Sequence, residues 1–140
     1  MTSSQARQRT LDYINSIVGT PWVEGVTDCY WVVEDSYRVL DGVTLPSPPW
    51  RTVDGIAVSA KEMLRSGAWL PSKPVEGAII AVYDKDGAMC HVGRILAGLA
   101  VHSDGTRKNA GQCRAESLAE MQRRYARLGY RLEYYKYGDC

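Results

Sequence analysis

The stretch MCHVGRILAGLAVHS, residues 89–103, decides the fold predicted for this chain. Two runs rich in aliphatic residues, Met89–Leu96 and Leu99–Ser103, flank Ala97-Gly98, which has the length of a two-residue hairpin loop. A third run, residues 78–83, comes before them and is set apart by the turn-forming residues 84–87. These spacings predict three antiparallel strands that follow one another in a meander.

The hairpin also predicts where the only two histidines of the chain lie. A two-residue loop places Leu96 opposite Leu99 and Gly93 opposite His102, which leaves His91 two residues along on the same face of the sheet. The β-carbons of such diagonal neighbours are about 7–8 Å apart or somewhat less, so the two imidazoles can interact. A three-residue loop would send them to opposite faces.

Helical patterns occupy the region before the meander. Apolar residues at helical spacing predict a first helix over about residues 3–18. Its apolar stripe comprises Leu11, Ile14 and Val18. A second helix is predicted over about residues 29–40, because Asp28 is a favourable N-cap and Asp41-Gly42 a favourable end.

The remaining elements are predicted from proline content and periodicity. Residues 45–50 contain three prolines and predict an extended surface loop, followed by a short helix that includes Ile56, with Ser59 and Glu62 at the spacing of a capping box. A last helix is predicted over about residues 115–128 and a final strand over 130–137. The stripe of that helix comprises Leu118, Met121, Tyr125 and Leu128. Helices followed by strands predict an α+β fold.

Length and composition indicate one ordinary globular domain over residues 1–140. With 45% hydrophobic residues, 24% charged residues and a net charge of +1, the chain has no excess charge that would favour binding to nucleic acid. No apolar run approaches the roughly 20 residues of a membrane span, and the first ten residues lack the apolar stretch of a secretory signal. We therefore expect that the protein is made in the cytoplasm and does not insert into a membrane.

The four cysteines are expected to be reduced thiols rather than disulfides, since a chain without a signal peptide meets a reducing compartment. The chain has no CxxC or HxxxH pair, so neither zinc nor another cofactor is predicted. Four arginines, at positions 123, 124, 127 and 131, predict a solvated basic face on the last helix.

Cys29 stands where a loop rich in glycine and proline becomes the second helix. A helix N-terminus presents unpaired N–H groups and a partial positive charge, which lower the pKa of a thiol and favour the thiolate. A free cysteine is more often a buried small hydrophobe, but a helix-start cysteine combined with two histidines on one face is typical of nucleophilic catalysis. The sequence therefore predicts Cys29 as nucleophile and His91 and His102 as its base and the polar group that orients the base.

The chain resembles the NlpC/p60 family of papain-like cysteine peptidases, especially the single-domain forms in tailed-phage tail proteins. Gly19-Thr20-Pro21-Trp22 through Gly25 and Asp28-Cys29 are similar to the family's Gly-Thr-Pro-Tyr, Gly and Asp-Cys pattern. The other similar segments, in chain order, are Leu45-Pro46, Gly77-Ala78-Ile79-Ile80, His91-Val92-Gly93 and Val101-His102-Ser103. The likeness extends over nearly the whole chain.

This resemblance implies a papain-like α+β fold whose N-terminal helices, with the nucleophile at a helix start, pack on an antiparallel sheet. It implies that Cys29 attacks a peptide carbonyl, that His91 acts as general base and acid, and that His102 orients His91. The implied substrates are bacterial peptidoglycan peptides, cut between D-glutamate, through its γ-carboxyl, and a diamino acid, without a cofactor. The implied location is a phage tail tip, with tail proteins as partners.

Two departures from the family pattern lie beside the nucleophile. Trp22 replaces the usual tyrosine, and Tyr30 and Trp31 replace the usual Ser-Gly after the cysteine. We expect Trp22 and Tyr30 to line the substrate groove, although Trp22, Trp31 and Trp50 also fit ordinary packing. Two alternatives stay open: a weakly active or inactive structural component of the tail tip with the same fold, and a cytoplasmic thiol amidase or transferase.

Overall fold

The fold was analysed in a computed structural model that describes residues 1–45, 51–52, 55–56, 58–59, 68–105, 109 and 111–138. Within these residues the protein is an α+β structure in which helices cover an antiparallel sheet. The predicted fold class is therefore confirmed at the level of α+β. None of the helices in the described part of the chain has the length and apolarity needed to cross a membrane.

Three α-helices are present among these residues. They are α1 (Ser3–Ile17), α2 (Cys29–Ser36) and α3 (Leu118–Ala126). Thr2 forms a capping box with Gln5 at the start of α1, and Asp28 caps α2 by accepting a hydrogen bond from the Trp31 amide at 3.1 Å. A π-helical turn, Tyr37–Asp41, extends α2 and ends at Gly42, whose φ of 67° suits glycine.

Nine strands are described. They are β1 (Arg51–Thr52), β2 (Gly55–Ile56), β3 (Val58–Ser59), β4 (Trp69–Ser72), β5 (Ile79–Tyr83), β6 (Ala88–Leu96), β7 (Leu99–Asp104), β8 (Gln112–Ser117) and β9 (Arg131–Tyr137). The main sheet has the order β4-β9-β5-β6-β7-β8, and β3 also pairs with β6. All of these pairs are antiparallel, which confirms the predicted meander β5-β6-β7.

The two faces of the sheet carry different helices. On one face, Ile79, Ala81 and Val92 pack with residues of α2, and α1 packs beside them. On the other face, Ile80 and Val82 pack with residues of α3. Every residue of β5 is buried, because β5 lies in the interior of the sheet and both of its faces are covered.

The last helix starts later than predicted, because residues 112–117 form strand β8 rather than the first turn of a helix. Pairing with β7 buries Cys113, and Ser117 then caps α3 by accepting a hydrogen bond from the Glu120 amide at 3.1 Å. Two residues expected on apolar stripes are exposed: Val18 lies just past the end of α1, and Leu128 lies beyond α3. Ile17 takes the place of Val18 in the core.

The region after residue 45 is only partly described. Leu45 is buried, while residues 46–50 of the predicted loop, including Trp50, lie outside the described residues. Ile56 lies in β2 rather than in a helix, since it pairs with Arg51. Ser59 lies in β3, where it pairs with Ala88, and not at a helix start. Residue 57 and residues 60–67, Glu62 among them, lie outside the described residues.

Candidate active site

The β6-β7 hairpin brings the two histidines together. Leu96 pairs with Leu99, and the loop residues Ala97 and Gly98 have φ values of 51° and 76°, as a tight two-residue turn with positive φ requires. In this register the His91 Nε2 atom lies 2.8 Å from the His102 Nδ1 atom. The prediction that the two imidazoles share one face is confirmed, and they form a direct hydrogen bond.

Gly93 makes this close approach possible. A β-carbon at position 93 would lie 2.9 Å from the β-carbon of His102 and 2.9 Å from the carbonyl oxygen of Val101. Both distances are shorter than a real side chain tolerates, and the Val101 oxygen belongs to the backbone of β7. The absence of a side chain at position 93 therefore leaves the room that the His102 side chain occupies.

A carboxylate and a guanidinium extend the histidine pair. The His102 Nε2 atom lies 2.6 Å from Oε2 of Glu116 on β8. Arg124 on α3 donates two hydrogen bonds to the same carboxylate, at 2.6 and 2.9 Å, and the Arg114 Nε atom lies 3.4 Å from it. His91, His102, Glu116 and Arg124 thus form one continuous chain of polar contacts, which we call the histidine relay.

Sequence reasoning missed Glu116 and misjudged Arg124. Glu116 was placed inside a predicted helix, and the signal that could have located it is the alternation of residues 112–117, with Cys113 buried between exposed neighbours. The sequence predicts Arg124 on a solvated face; its side chain is 37% exposed, but it also binds Glu116 with both terminal nitrogens. A bidentate pair of this kind is stronger than an ordinary surface contact.

The relay determines the charge of its members. Burial opposes ionisation of Glu116, but hydrogen bonds from His102 and Arg124 outweigh it and hold the pKa of this carboxyl far below its ordinary value. Burial is the main cause that lowers the pKa of His91 well below 6.5, and the neighbouring His102 and Arg124 add to it, while Glu116 opposes it. At neutral pH Glu116 is therefore a carboxylate and His91 an uncharged imidazole.

The His91 ring contacts Tyr125 with one face and His102 with one edge. It stacks on Tyr125 of α3, with ring centroids 5.9 Å apart and planes inclined by 27°. Its Nε2 atom is engaged by His102, and within the described residues its Nδ1 atom has no hydrogen-bond partner. His91 is 7% exposed, and Nδ1 is the ring nitrogen that is available to accept a hydrogen bond from another group.

Cys29 occupies the first position of α2, as predicted, and the loop before it is well anchored. Asp28 also accepts a hydrogen bond from the Gly25 amide at 3.0 Å, and the Ser103 hydroxyl donates one to the Thr27 carbonyl at 3.0 Å. Ser103 follows His102 directly on β7. The loop before Cys29 is thereby tied to the strand that carries the second histidine.

The environment of Cys29 differs from the one predicted. Burial raises the pKa of the Cys29 thiol to about 12, although a hydrogen bond from the Val92 backbone amide opposes the shift, and the nearby Asp28 raises the pKa further. The expected lowering by the helix N-terminus is therefore wrong for this protein. Desolvation of a thiolate outweighs the partial charge of a short helix.

Cys29 and His91 contact different faces of the sheet. Cys29 packs with the cluster that includes Val92 and Ala81, on the face covered by α2. His91 pairs with Val82, whose side chain packs on the α3 face, and it stacks on α3 itself. The structure brings Cys29 to the His91-Val92 peptide, and in the described part of the chain no hydrogen bond joins the thiol to either imidazole.

Tyr30 and Trp22, the two residues predicted to line the substrate groove, lie in different environments. Tyr30 is 2% exposed and belongs to the core beneath α2, and its contact with substrate stays a prediction. Trp22 is half-buried, and its backbone amide donates a hydrogen bond to the Gly111 carbonyl at 2.9 Å. A β-carbon at Gly105 would lie 2.6 Å from Trp22, so the indole packs tightly against the loop after β7.

The described cysteines, Cys29, Cys90 and Cys113, are free thiols, and Cys140 lies outside the described residues. Among the described residues no group of three or more His, Cys, Asp or Glu side chains could hold a metal ion.

No protein-family model and no curated protein matches this sequence.

The chemistry available at the site follows from the geometry alone. Glu116, His102 and His91 are joined by hydrogen bonds in that order. The negative charge of the Glu116 carboxylate can therefore orient His102 and, through it, influence Nδ1 of His91. The half-buried thiol of Cys29 and the backbone N–H at the start of α2 lie beside the His91-Val92 peptide of β6. These are the groups that acyl transfer through a thioester requires.

Proposed function

We propose that this chain is a cysteine peptidase of the NlpC/p60 type that cleaves peptidoglycan peptides as part of a phage tail. The observation that carries the proposal is the 2.8 Å contact between His91 Nε2 and His102 Nδ1 on neighbouring strands. It gives a candidate base with a second polar group to orient it, next to the peptide that Cys29 contacts. The substrate class and the tail location rest on the resemblance described above.

In the proposed reaction, the sulfur of Cys29 attacks the scissile carbonyl carbon while its proton passes to Nδ1 of His91. The resulting oxyanion receives a hydrogen bond from the backbone N–H of Cys29 at the start of α2. The carbon–nitrogen bond then breaks, His91 returns the proton to the leaving amine, and a thioester on Cys29 remains. Water, deprotonated by His91, attacks the thioester carbon; the carbon–sulfur bond breaks, His91 returns the proton to the Cys29 sulfur, and the acid is released.

The resting charges favour proton transfer during attack rather than a preformed ion pair. The pKa of Cys29 is raised to about 12 and that of His91 is lowered, so thiol and imidazole are both uncharged before substrate binds. The proposed cycle therefore includes approach of the thiol to His91 Nδ1 in the substrate complex. Because the two groups lie toward different faces of the sheet before substrate binds, this approach requires a rearrangement around the His91-Val92 peptide.

Digestion of purified muropeptides tests this function. The wild-type protein is expected to release fragments whose masses place the cut after the γ-carboxyl of D-glutamate. Cys29→Ala is expected to release none, and Cys113→Ala, which removes a buried thiol outside the site, is the matched control. Equal digestion by wild type and Cys29→Ala would contradict the proposal, as would the absence of products from a folded wild-type protein.

A specific observation favours a second candidate, an inactive tail-tip component with the same fold. The Cys29 thiol packs on the α2 face of the sheet, whereas the relay lies on the α3 face. A purely structural domain would keep both arrangements without needing them to meet. Cofractionation of the protein with tail particles, together with unchanged particle assembly by Cys29→Ala and no muropeptide cleavage, would favour this candidate over the peptidase.

A further inference from the structure

We infer that Glu116, clamped by Arg124, is a positioning residue that fixes the protonation sites of both histidines and leaves the lone pair of His91 on Nδ1. The inference rests on the proposed function for its catalytic meaning, since it deepens the role of that site. Its structural content concerns four side chains from three strands and one helix. Neither Glu116 nor Arg124 stands within the segments that carry the family resemblance.

Glu116 is held as a negatively charged carboxylate by its neighbours. The carboxylate accepts hydrogen bonds from Arg124 at 2.6 and 2.9 Å and lies 3.4 Å from Arg114. Its side chain is only 8% exposed, and two guanidinium groups face it. A carboxylate in this setting stays ionised and can only accept hydrogen bonds.

The Glu116 carboxylate determines which nitrogen of His102 carries the proton. Because Oε2 of Glu116 can only accept, the His102 Nε2 atom at 2.6 Å must carry the proton. In an uncharged imidazole the other nitrogen is then an acceptor, so His102 Nδ1 offers a lone pair. The ring is fully buried and cannot turn toward solvent to escape this assignment.

His102 in turn determines which nitrogen of His91 carries the proton. The His102 Nδ1 lone pair lies 2.8 Å from His91 Nε2, which must therefore carry the proton of the His91 ring. His91 Nδ1 is left unprotonated, and it has no hydrogen-bond partner among the described residues. A base with its lone pair on the partnerless nitrogen is ready to accept a proton from a thiol.

This arrangement gives a role to the ion pair between Glu116 and the partly exposed Arg124 at the edge of the sheet. Arg124 connects α3 to β8, and its guanidinium prevents Glu116 from rotating away from His102. A neutral amide at position 116 would keep the size of the side chain but could present either its oxygen or its NH2 group to His102. Both histidines would then be free to exchange protonation sites.

Histidine tautomers can be read directly by nitrogen-15 NMR on protein labelled at histidine, and two rings give only four nitrogen signals. Above the pH at which either ring is charged, wild type is expected to show both rings protonated at Nε2. Glu116→Gln is expected to show mixed tautomers at both rings, and Arg124→Met a weaker change of the same kind. Glu120→Gln is the matched control, because Glu120 pairs with Arg123 on the exposed side of the same helix.

A tautomer of His91 protonated at Nδ1 in wild type would overturn the inference, and so would tautomers that Glu116→Gln leaves unchanged. Muropeptide digestion then separates the two proposals. If the peptidase proposal holds, Glu116→Gln lowers kcat/KM about tenfold or more, because a positioned base contributes roughly 10²–10⁴-fold, and Glu120→Gln leaves it unchanged. Fixed tautomers in a wild-type protein that cleaves nothing would uphold the positioning role of Glu116 and refute the peptidase.

Discussion

At the scale of single residues, burial decides the chemistry more than sequence position does. Cys29 stands at a helix start, as its neighbours Asp28 and Gly25 predicted, but the pKa of its thiol is raised to about 12 because the sulfur is desolvated. His91 is likewise kept uncharged by burial. The positions of both residues were readable from sequence, while their charge states depend on which side chains surround them in the folded chain.

Alkylation of Cys29 tests the neutral resting state. Labelling by iodoacetamide, followed by peptide mass mapping, is expected to be slower at pH 7 than for an ordinary thiol of pKa about 8.5, and to rise with pH without a plateau below about pH 10. The reason is the raised pKa of the half-buried Cys29 thiol. His91→Asn should leave the rate at pH 7 nearly unchanged. A plateau between pH 5 and 7 that this variant abolishes would show a thiolate–imidazolium pair instead.

Gly93 is the residue whose replacement should damage the relay most simply. Gly93→Ala places a β-carbon 2.9 Å from both His102 and the Val101 carbonyl, so the hairpin must shift. We expect a loss of about 1–3 kcal/mol in the free energy of unfolding, measured by urea denaturation. The His91 and His102 nitrogen signals should move as well. Unchanged stability and unchanged signals would contradict the close packing described here.

At the scale of elements, local patterns predicted what local chemistry determines. Capping, helix spacing and the two-residue turn placed α1, α2 and β5–β7, because each depends on residues close in sequence. Strand β8 was missed because its register is set by pairing with β7 and not by a turn signal. Because strand β8 was not predicted, its residue Glu116 was not recognised as part of the site. The part of the site that depends on pairing between distant segments could therefore not be predicted.

The capping of α2 gives a prediction for the loop before Cys29. Asp28→Ala removes the acceptor for the Trp31 and Gly25 amides and should destabilise the protein by about 1 kcal/mol, within a range of roughly 0.5–2 kcal/mol. Asp28→Asn keeps one of the two oxygen acceptors, enough for the bond from the Trp31 amide, and should cost less than Asp28→Ala. Urea denaturation of the three proteins provides the measurement. An equal loss for both variants would show that capping is not the role of this side chain.

The docking of α3 on the sheet gives a second prediction at this scale. Met121 is fully buried against Ile80 and Val82, so Met121→Ala should cost about 2–5 kcal/mol of stability. Leu128→Ala is the matched control, because Leu128 is 50% exposed and should change stability by no more than about 0.5 kcal/mol. Similar losses in thermal or urea unfolding for the two variants would contradict the described packing.

At the scale of the whole molecule, two buried groups make stability depend on pH in the same direction. His91 has a lowered pKa in the folded protein, so below about pH 6.5 the unfolded chain takes up a proton that the folded state refuses. Glu116 also has a lowered pKa, so its contribution is present above about pH 4.3 and is lost as the pH falls below that value. Acidification should therefore destabilise the fold in two successive windows.

Urea midpoints between pH 7.5 and 3 measure this dependence. Wild type is expected to lose stability steadily below about pH 6.5. His91→Gln should flatten the curve in the upper window, and Glu116→Gln should flatten it in the lower one, since each removes the corresponding group. A wild-type midpoint that is constant from pH 7.5 to 5 would contradict the buried, uncharged state of His91.

The central claim is that Cys29 forms a covalent acyl-enzyme with a peptidoglycan peptide. Intact-protein mass spectrometry after acid quenching of a reaction with purified muropeptides measures it directly. Wild type is expected to gain the mass of the acyl fragment, mapped to the peptide that contains Cys29, and Cys29→Ala to gain none. A wild-type protein that remains unmodified and releases no product, or an adduct that persists in Cys29→Ala, would contradict the claim.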